Sequence, residues 1–129
     1  MGSADSSMCL AGLRILIVED DYFVANETGQ ALREFGAEIL GPVPTVARAK
    51  EALLDIPDCV LLDINLKGEM AFDLAREILI RGIPIVFMTG YDRSIVPASL
   101  QSRPWLQKPV ETRELIDTVR REARPRPAR

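Results

Sequence analysis

The sequence predicts an α/β domain of the doubly wound type, in which helices cover both faces of a five-stranded parallel sheet. Short apolar runs alternate along the chain with stretches of helical periodicity, which is the pattern of repeated β-α-β units. The chain has 129 residues, of which 47% are hydrophobic and 27% are charged. These values suit one folded domain with an ordinary core, and they single out no function.

Five short apolar runs are the predicted strands, and such runs suit a sheet that is covered on both faces. The runs are residues 13–18, 37–40, 58–63, 83–88 and the short segment 105–107. Because parallel crossovers are right-handed and the sheet winds both ways from its first strand, we expect strands one and three to be neighbours.

Four helices are predicted between and after these strands. The first ends before Gly36, the second follows the N-cap candidate Thr45, the third ends at Gly82, and the fourth covers residues 111–122. Residues 91–103, which contain Pro97, are predicted to form a stub or an irregular loop. The apolar residues expected to face the core are Val24, Ala31, Leu32 and Phe35; Val46, Ala49, Leu53 and Leu54; Met70, Leu74 and Ile78; and Leu115, Ile116 and Val119.

The two ends of the chain differ in composition from the rest. Residues 1–10 are rich in serine, and residues 124–129 alternate proline with arginine, so both are predicted to be flexible tails. The predicted folded domain therefore covers residues 11–123.

Charge and composition exclude several classes of function. A net charge of -3 gives no general attraction to nucleic acids or to anionic membranes, and we expect neither as a partner. The absence of histidine excludes a Ser-His-Asp triad and a histidine-ligated zinc site. Cys9 and Cys59 are poorly placed to pair, and Arg14 interrupts the one segment that could resemble a secretory signal, so we expect a cytoplasmic protein with reduced thiols.

Polar residues follow the predicted strands at the point where each strand ends. Glu19 and Asp20 follow the first strand, Asp63 the third, Thr89 the fourth and Lys108 the fifth. The carboxyl ends of parallel strands meet at one edge of a sheet, so these groups are expected to converge there. Clustered carboxylates repel one another unless a cation lies between them, and oxygen ligands favour Mg²⁺ over zinc. The alternative is that each charged residue simply reaches solvent.

Together these residues resemble the receiver domains of bacterial two-component response regulators. The resemblance rests on Glu19 and Asp20 after RILIV, Asp63 after CVLL, Thr89 in FMTG, and the dipeptide formed by Lys108 and proline; it covers roughly residues 12–123. It implies a flavodoxin-like, CheY-like sandwich with the strand order 2-1-3-4-5. It also implies a stand-alone signalling phosphoprotein that accepts a phosphoryl group from a sensor histidine kinase or a histidine phosphotransferase.

The resemblance implies a role for each acidic residue. Asp63 matches the phosphoacceptor, Asp20 and Glu19 match the acidic pair that holds Mg²⁺ together with Asp63, and Asn65 matches the residue whose backbone carbonyl completes the metal shell. A carboxylate is a weak nucleophile, but phosphoryl transfer depends mainly on positioning and on charge neutralisation. An aspartate that follows a buried strand is held in place more firmly than one on a loop.

Three further residues match parts of the family's signalling apparatus. Thr89 matches the hydroxyl that binds one phosphoryl oxygen, and Lys108 matches the ammonium that pairs with another. Trp105 occupies the position of the aromatic that rotates after phosphorylation, although packing against a short strand would equally explain a lone tryptophan. The signal itself would pass to an unknown downstream protein, by phosphorylation-dependent binding or as one step of a phosphorelay.

The segment 87-FMTGYD-92 partly matches a subgroup of stand-alone receivers with a Phe-x-Thr-Gly-x-Tyr-type signature, known in alphaproteobacteria and associated with stress signalling. Tyr91 directly follows Gly90, so the match is incomplete. We expect the Tyr91 phenol to shield the acyl phosphate, and Asn65 to orient a hydrolysing water only modestly, which gives a phosphoryl lifetime of minutes or more. The alternative for Tyr91 is a surface aromatic without a role.

Two alternative functions remain open at this point. One is a phosphatase or phosphotransferase of another family that forms an aspartyl phosphate, such as the haloacid dehalogenases; Asn65 stands where those proteins carry a second acid. The other is an inert pseudo-receiver that only binds partners. Under the main hypothesis the chain is a switch that catalyses only its own phosphorylation and dephosphorylation, not an enzyme.

Overall fold

The computed structural model describes residues 8–126, which form a parallel sheet with α-helices on both of its faces. The described residues form seven strands, and five of them make this sheet in the order β2-β1-β3-β6-β7. Counted along the chain within the sheet, this is the predicted order 2-1-3-4-5. The other two strands, β4 and β5, pair as a separate antiparallel hairpin. The strands are β1 (Arg14–Val18), β2 (Glu38–Val43), β3 (Cys59–Leu62), β4 (Asn65–Leu66), β5 (Glu69–Met70), β6 (Ile85–Thr89) and β7 (Trp105–Gln107).

Four α-helices flank the sheet, and side-chain caps define the start of two of them. The Asp21 carboxylate accepts hydrogen bonds from two backbone N–H groups of the first helix, and the Thr45 hydroxyl accepts one from Arg48 in the second. Both residues thereby satisfy donors that have no partner within the helix. The helices are α1 (Tyr22–Glu34), α2 (Val46–Ala52), α3 (Phe72–Ile80) and α4 (Thr112–Glu122).

The sheet separates two apolar cores, one on each face. Alternate residues of β1 point to opposite faces, so Leu16 packs with α2 and α3 while Ile15 and Ile17 pack with α1 and α4. All residues of β3 and β6 are buried, which explains their unbroken apolar sequence. Burying each such aliphatic side chain contributes roughly 1.5–3 kcal/mol, so the sheet is a rigid support for the residues at its ends.

No α-helix connects β6 to β7. The connection contains two 3-10 turns, Arg93–Ile95 and Ala98–Leu100, joined at Pro97. Val96 and Leu100 are buried and anchor this segment to the core, while Ile95 is 40% exposed. The predicted irregular fourth unit is confirmed.

Two apolar residues assigned to helix faces lie elsewhere. Met70 was predicted to open the third helix, but it belongs to β5 and is 41% exposed; α3 begins at Phe72. Leu54 was expected to face the core, but it is 79% exposed because α2 passes into a 3-10 turn, Leu53–Asp55, whose tighter winding turns this side chain outward. Leu53 is fully buried, as predicted.

Parts of both predicted tails contact the domain. Leu10 is fully buried and its N–H donates to the carbonyl of Phe35 at 2.9 Å. Near the other end, the N–H of Arg124 donates to the carbonyl of Asp58 at 3.0 Å, and the N–H of Arg126 donates to the Asp58 carboxylate at 2.9 Å. Within the predicted tails, Leu10, Arg124 and Arg126 are therefore packed on or hydrogen-bonded to the domain. Residues 1–7 and 127–129 of those tails lie outside the described part of the chain. Among the described helices, none combines the length and apolarity needed to cross a bilayer.

Candidate functional site

Three carboxylates meet at the edge of the sheet where the strands end. Glu19, Asp20 and Asp63 each place one carboxylate oxygen within 4.8 Å of the others. The register of the sheet causes this arrangement. Val18, the last residue of β1, pairs with Leu62, the last residue of β3, so the residues that follow the two strands lie side by side. Glu19 and Asp63 are only 4% and 7% exposed. Sequence reasoning predicted this convergence, and the structure shows it.

Lys108 supplies the positive charge of the cluster. Its ammonium Nζ lies 3.0 Å from Asp63 Oδ2 and 2.5 Å from Glu19 Oε1. The backbone sets this position, because the N–H of Lys108 donates to the carbonyl of Thr89 at 2.8 Å just beyond the paired ends of β6 and β7. Burial alone would lower the pKa of Lys108, but its two carboxylate partners outweigh burial and raise that pKa. The ammonium is therefore held in its charged form.

Glu19 is the most enclosed of the three acids. Burial raises its pKa to about 7, against the opposing effects of Lys108 and of a hydrogen bond of 3.1 Å from the N–H of Asp21; the nearby charge of Asp63 raises the pKa further. Its Oε1 is buried and forms an ion pair with Lys108 at 2.5 Å, and a carboxylate oxygen has a second lone pair. This oxygen therefore has capacity for another positively charged partner.

The hairpin of β4 and β5 covers one side of the cluster and was not predicted. Its two-residue turn consists of Lys67 (φ +53°) and Gly68 (φ +88°), which is the geometry of a type I′ hairpin. The N–H of Lys67 donates to Asp20 Oδ2 at 2.9 Å, and the N–H of Gly68 donates to Asn65 Oδ1 at 2.8 Å. The turn thus orients Asp20 through the backbone. In the sequence, the Lys67-Gly68 pair is the sign of a turn here. The strands cannot be predicted from periodicity, because two residues are too few to show any.

Asn65 and Tyr91 join two loops beside Asp63. The side-chain amide of Asn65 donates to the Tyr91 hydroxyl at 2.6 Å, and the backbone N–H of Asn65 donates to Asp63 Oδ1 at 3.3 Å. Thr89 ends β6 and is fully buried, and its hydroxyl accepts the N–H of Tyr91 at 3.3 Å. Tyr91 itself is 42% exposed. These contacts link the loop after β3 to the loop after β6 at the rim of the site.

Trp105 lies on the edge strand β7 and outside the acidic cluster. Its ring packs against Phe87 at a centroid distance of 5.7 Å and a tilt of 49°. The indole Nε1 is buried and has no hydrogen-bond partner among the described residues. A buried donor without an acceptor is uncommon in folded proteins, so the present position of this ring satisfies packing but leaves its polar atom unsatisfied.

The donor set of the cluster fits a hard divalent cation. It consists of carboxylate oxygens, contains neither thiolate nor imidazole, and stays partly open to solvent at Asp20. Mg²⁺ is commonly held by one or two carboxylates plus water and phosphate oxygens, which matches this partial shell better than a closed protein cage would. Glu19, Asp20 and Asp63 are the side chains that could hold it.

Comparison with known sequences gives a consistent result. The family model for the response regulator receiver domain matches residues 15–120. The sensory transduction protein LytT of Bacillus subtilis is 29% identical over 84% of this chain and 47% of its own length. The transcriptional regulatory protein PdtaR of Mycobacterium tuberculosis is 32% identical over 82% of this chain and 54% of its own length. The chain thus spans about half the length of these curated relatives.

Solved structures share the fold. The receiver domain of the response regulator PhyR from Erythrobacter litoralis superimposes with a TM-score of 0.78 over 92% of this chain and 98% of that one, at 24% identity. SdrG from Sphingomonas melonis Fr1 has a TM-score of 0.71 and 34% identity, and the match covers 88% of this chain and 93% of that chain. The first match shows the doubly wound fold, and the second adds similarity of sequence over nearly the same region.

Proposed function

Since the chain belongs to the response regulator receiver domain family, we propose that Asp63 accepts a phosphoryl group from a phosphohistidine of a sensor histidine kinase or a histidine phosphotransferase. The observation that carries this proposal is the position of Asp63, which lies within 4.8 Å of two other carboxylates and 3.0 Å from the Lys108 ammonium. Such a site concentrates opposite charges around one nucleophile and suits phosphoryl transfer.

The proposed reaction exchanges one phosphorus bond for another. A carboxylate oxygen of Asp63 forms the new O–P bond while the N–P bond of phosphohistidine breaks. The bonding electrons return to the imidazole nitrogen, which takes up a proton. Asp63 follows a fully buried strand, so the nucleophile is held in place while the donor approaches.

Glu19, Asp20 and Asp63 are proposed to hold Mg²⁺, with the backbone carbonyl of Asn65 as a further ligand. When bound, the ion supplies charge neutralisation for the phosphoryl oxygens. Lys108 neutralises a second oxygen, and its ammonium already lies between Glu19 and Asp63. The buried Thr89 hydroxyl, which now accepts the N–H of Tyr91, is proposed to donate to the phosphoryl group.

Phosphorylation would then change the packing near β7. A phosphoryl group adds about 1.5 to 2 negative charges at neutral pH, which is enough to draw a hydroxyl inward. Movement of Thr89 would vacate space beside Phe87 and Trp105, whose rings are in contact. Rotation of the Trp105 ring into that space is proposed as the step that carries the change to the edge strand β7.

Tyr91 and Asn65 are proposed to slow hydrolysis of the acyl phosphate. Their hydrogen bond of 2.6 Å bridges the two loops that border Asp63. The Asn65 side chain uses Nδ2 for Tyr91 and Oδ1 for the N–H of Gly68, so both of its polar atoms are engaged. An amide held in this way orients an attacking water poorly.

Asn65 also separates this proposal from that of an aspartyl phosphatase acting on small substrates. It stands two residues after Asp63, where such enzymes need a general acid, and an amide cannot supply a proton. A phosphorylatable switch that signals to a protein partner is therefore the preferred proposal. An inert pseudo-receiver is disfavoured because Asp63, Lys108 and the other two acids form one cluster.

The experiment that tests the proposal uses the intact chain, Mg²⁺ and a small phosphoryl donor such as acetyl phosphate. Intact-mass spectrometry is expected to show the addition of one phosphoryl group, which is absent in Asp63→Asn and after chelation of Mg²⁺. Asp73→Asn is the matched control, because this exposed aspartate on α3 carries the same charge away from the site. Modification of Asp63→Asn to the same extent as the parent would refute Asp63 as the acceptor.

A further inference from the structure

A small polar pocket lies at the amino ends of β6 and β7, on the side of the sheet opposite to the acidic cluster. It has a volume of about 220 Å³ and is lined by Leu79, Gly82, Ile83, Pro84, Arg103 and Arg124. Pro84 immediately precedes β6, and Arg124 follows the end of α4. Ligand sites for drug-sized molecules measure roughly 300–1,000 Å³, so this pocket suits only a small ligand.

Arg103 contributes a buried donor without an acceptor. Its Nη2 donates to Glu122 Oε1 at 3.2 Å, which holds the guanidinium in place. Its Nε is buried and has no hydrogen-bond partner within residues 8–126. Since buried polar groups are nearly always hydrogen-bonded in folded proteins, to protein or to water, this N–H is available to a water or an anion in the pocket.

Arg126, which lies near Gly82, also has a buried donor without an acceptor among the described residues. Its Nη2 lies 3.4 Å from the carbonyl oxygen of Gly82, a residue that lines the pocket. Its Nε, like that of Arg103, is buried and has no partner among the described residues. Two guanidinium groups beside one small pocket therefore each retain an unsatisfied donor.

Arg124 adds a third positive charge to the wall. Its Nη1 contacts the carbonyl oxygens of Arg121, Glu122 and Ala123 at 3.0–3.4 Å, so the side chain caps the end of α4. These carbonyl groups carry no formal charge, so the positive charge of Arg124 is not neutralised by them. Glu122, the carboxylate that pairs with Arg103, also lies 3.8 Å from Arg121 and is therefore shared between two arginines. The buried carboxylate of Asp58, which accepts the N–H of Arg126, is the second negative charge nearby, so three arginines stand against two carboxylates.

We propose that this pocket binds a small oxyanion of the phosphate class. Guanidinium N–H groups are charge-assisted donors that suit the oxygens of such an ion, and the Nε–H groups of Arg103 and Arg126 have no acceptor within residues 8–126. The ion would connect the loop before β6, the segment before β7 and the end of α4. The site is independent of the phosphoacceptor function, since it shares no residue with the acidic cluster.

The test follows the side-chain Nε–H resonances of Arg103 and Arg126 by NMR in the full chain, without Mg²⁺ and with a chelator present. Inorganic phosphate is expected to shift both resonances along a saturating curve. Arg124→Gln should weaken the apparent affinity on the order of tenfold, because it removes one charged donor. Arg48→Gln, which removes an equal charge from the exposed face of α2, should leave the curve unchanged.

Glycerol phosphate in a second titration distinguishes the source of the oxyanion. Saturation by inorganic phosphate alone identifies a free ion, and saturation by the ester as well identifies a phosphomonoester; both results support the site. Equal shifts with chloride at matched ionic strength would overturn the proposal, since they indicate general screening. So would a binding curve that is the same in Arg124→Gln as in the parent.

Discussion

Two buried aspartates flank the same strand, and their surroundings differ in kind. Asp58 precedes β3 and is fully buried; its carboxylate accepts backbone N–H groups from Arg14 at 2.8 Å and Arg126 at 2.9 Å. Asp63 follows β3 and is 7% exposed; its carboxylate meets the Lys108 ammonium and two other carboxylates. The first carboxylate joins chain segments, whereas the second belongs to a cluster of charges.

This difference separates a structural acid from a reactive one. Backbone donors are fixed by the fold, so Asp58 exchanges its partners only if the chain around it opens. The ammonium of Lys108 sits on a flexible side chain, and the neighbouring carboxylates repel Asp63, so that a cation or a phosphoryl group can enter. Burial alone would not have distinguished the two residues.

The largest expected effect concerns access to the start of β3. Cys59 adjoins Asp58 and is fully buried, and burial raises the pKa of its thiol to about 12, whereas Cys9 is half-buried. At pH 8 the Cys59 thiol therefore stays protonated, and its alkylation requires the chain to unfold. We expect Cys59 to react at least about a thousandfold more slowly than Cys9, given usual folding stabilities.

Peptide mapping by mass spectrometry after a timed iodoacetamide pulse measures both rates, and labelling in denaturant is the control. Comparable rates in the native protein would mean that the start of β3 opens readily. That result would contradict the assignment of Asp58 as the structurally fixed aspartate of the pair.

Truncation of the two aspartates should affect stability very differently. Asp58→Ala leaves at least two partly buried backbone N–H groups without acceptors, so we expect a loss of roughly 3 kcal/mol. Asp63→Ala relieves repulsion between carboxylates and leaves Lys108 paired with Glu19, so we expect a change within about 1 kcal/mol. Urea denaturation followed by circular dichroism compares the two variants, and equal losses would show that both acids serve the fold.

Divalent cations should stabilise the protein by binding to the acidic cluster that contains Asp63, at the carboxyl end of β3. Saturation with Mg²⁺ at 100 times its dissociation constant would raise the free energy of unfolding by about 2.7 kcal/mol. Asp20→Asn should lose most of this gain, and Asp73→Asn should retain it. Thermal unfolding with Mg²⁺ and then with excess chelator measures the effect. A gain that survives in Asp20→Asn would place the ion elsewhere.

The smallest effect concerns the rim of the site. Tyr91→Phe removes the hydroxyl that accepts the Asn65 amide, and one neutral hydrogen bond corresponds to roughly a fivefold change in rate. We expect the phosphoryl group on Asp63 to decay about this much faster in Tyr91→Phe, and faster still in Tyr91→Ala, which also removes the ring. Loss of phosphoprotein with time is followed by intact-mass spectrometry. Decay in Tyr91→Ala at the parent rate would exclude shielding by Tyr91.

The sequence predicted what depends on periodicity and strand ends. Apolar runs located the sheet, and residues directly after them, such as Asp63 and Lys108, could be assigned to one edge. Features that depend on exact loop geometry were missed. The β4–β5 hairpin, through which Lys67 orients Asp20, has strands too short to show a pattern, and a helix was extended over Met70 instead.

The anchoring role of Asp58 was also missed, for a related reason. Its partners Arg14 and Arg126 are 44 and 68 residues away along the chain. They donate through their backbone N–H groups, which nearly every residue has, so the residue types give no sign of this contact. The contact between Asn65 and Tyr91 was equally hidden, because it depends on how two irregular loops meet.

The most direct test of the acidic cluster is a crystal structure of the chain with Mn²⁺ and beryllofluoride, which mimics a phosphoryl group. We expect the fluoride complex on a carboxylate oxygen of Asp63, with an anomalous Mn²⁺ peak at Asp20 and Asp63 and the Lys108 ammonium in contact with a fluoride. A metal peak remote from these acids, or beryllofluoride on any other residue, would contradict it.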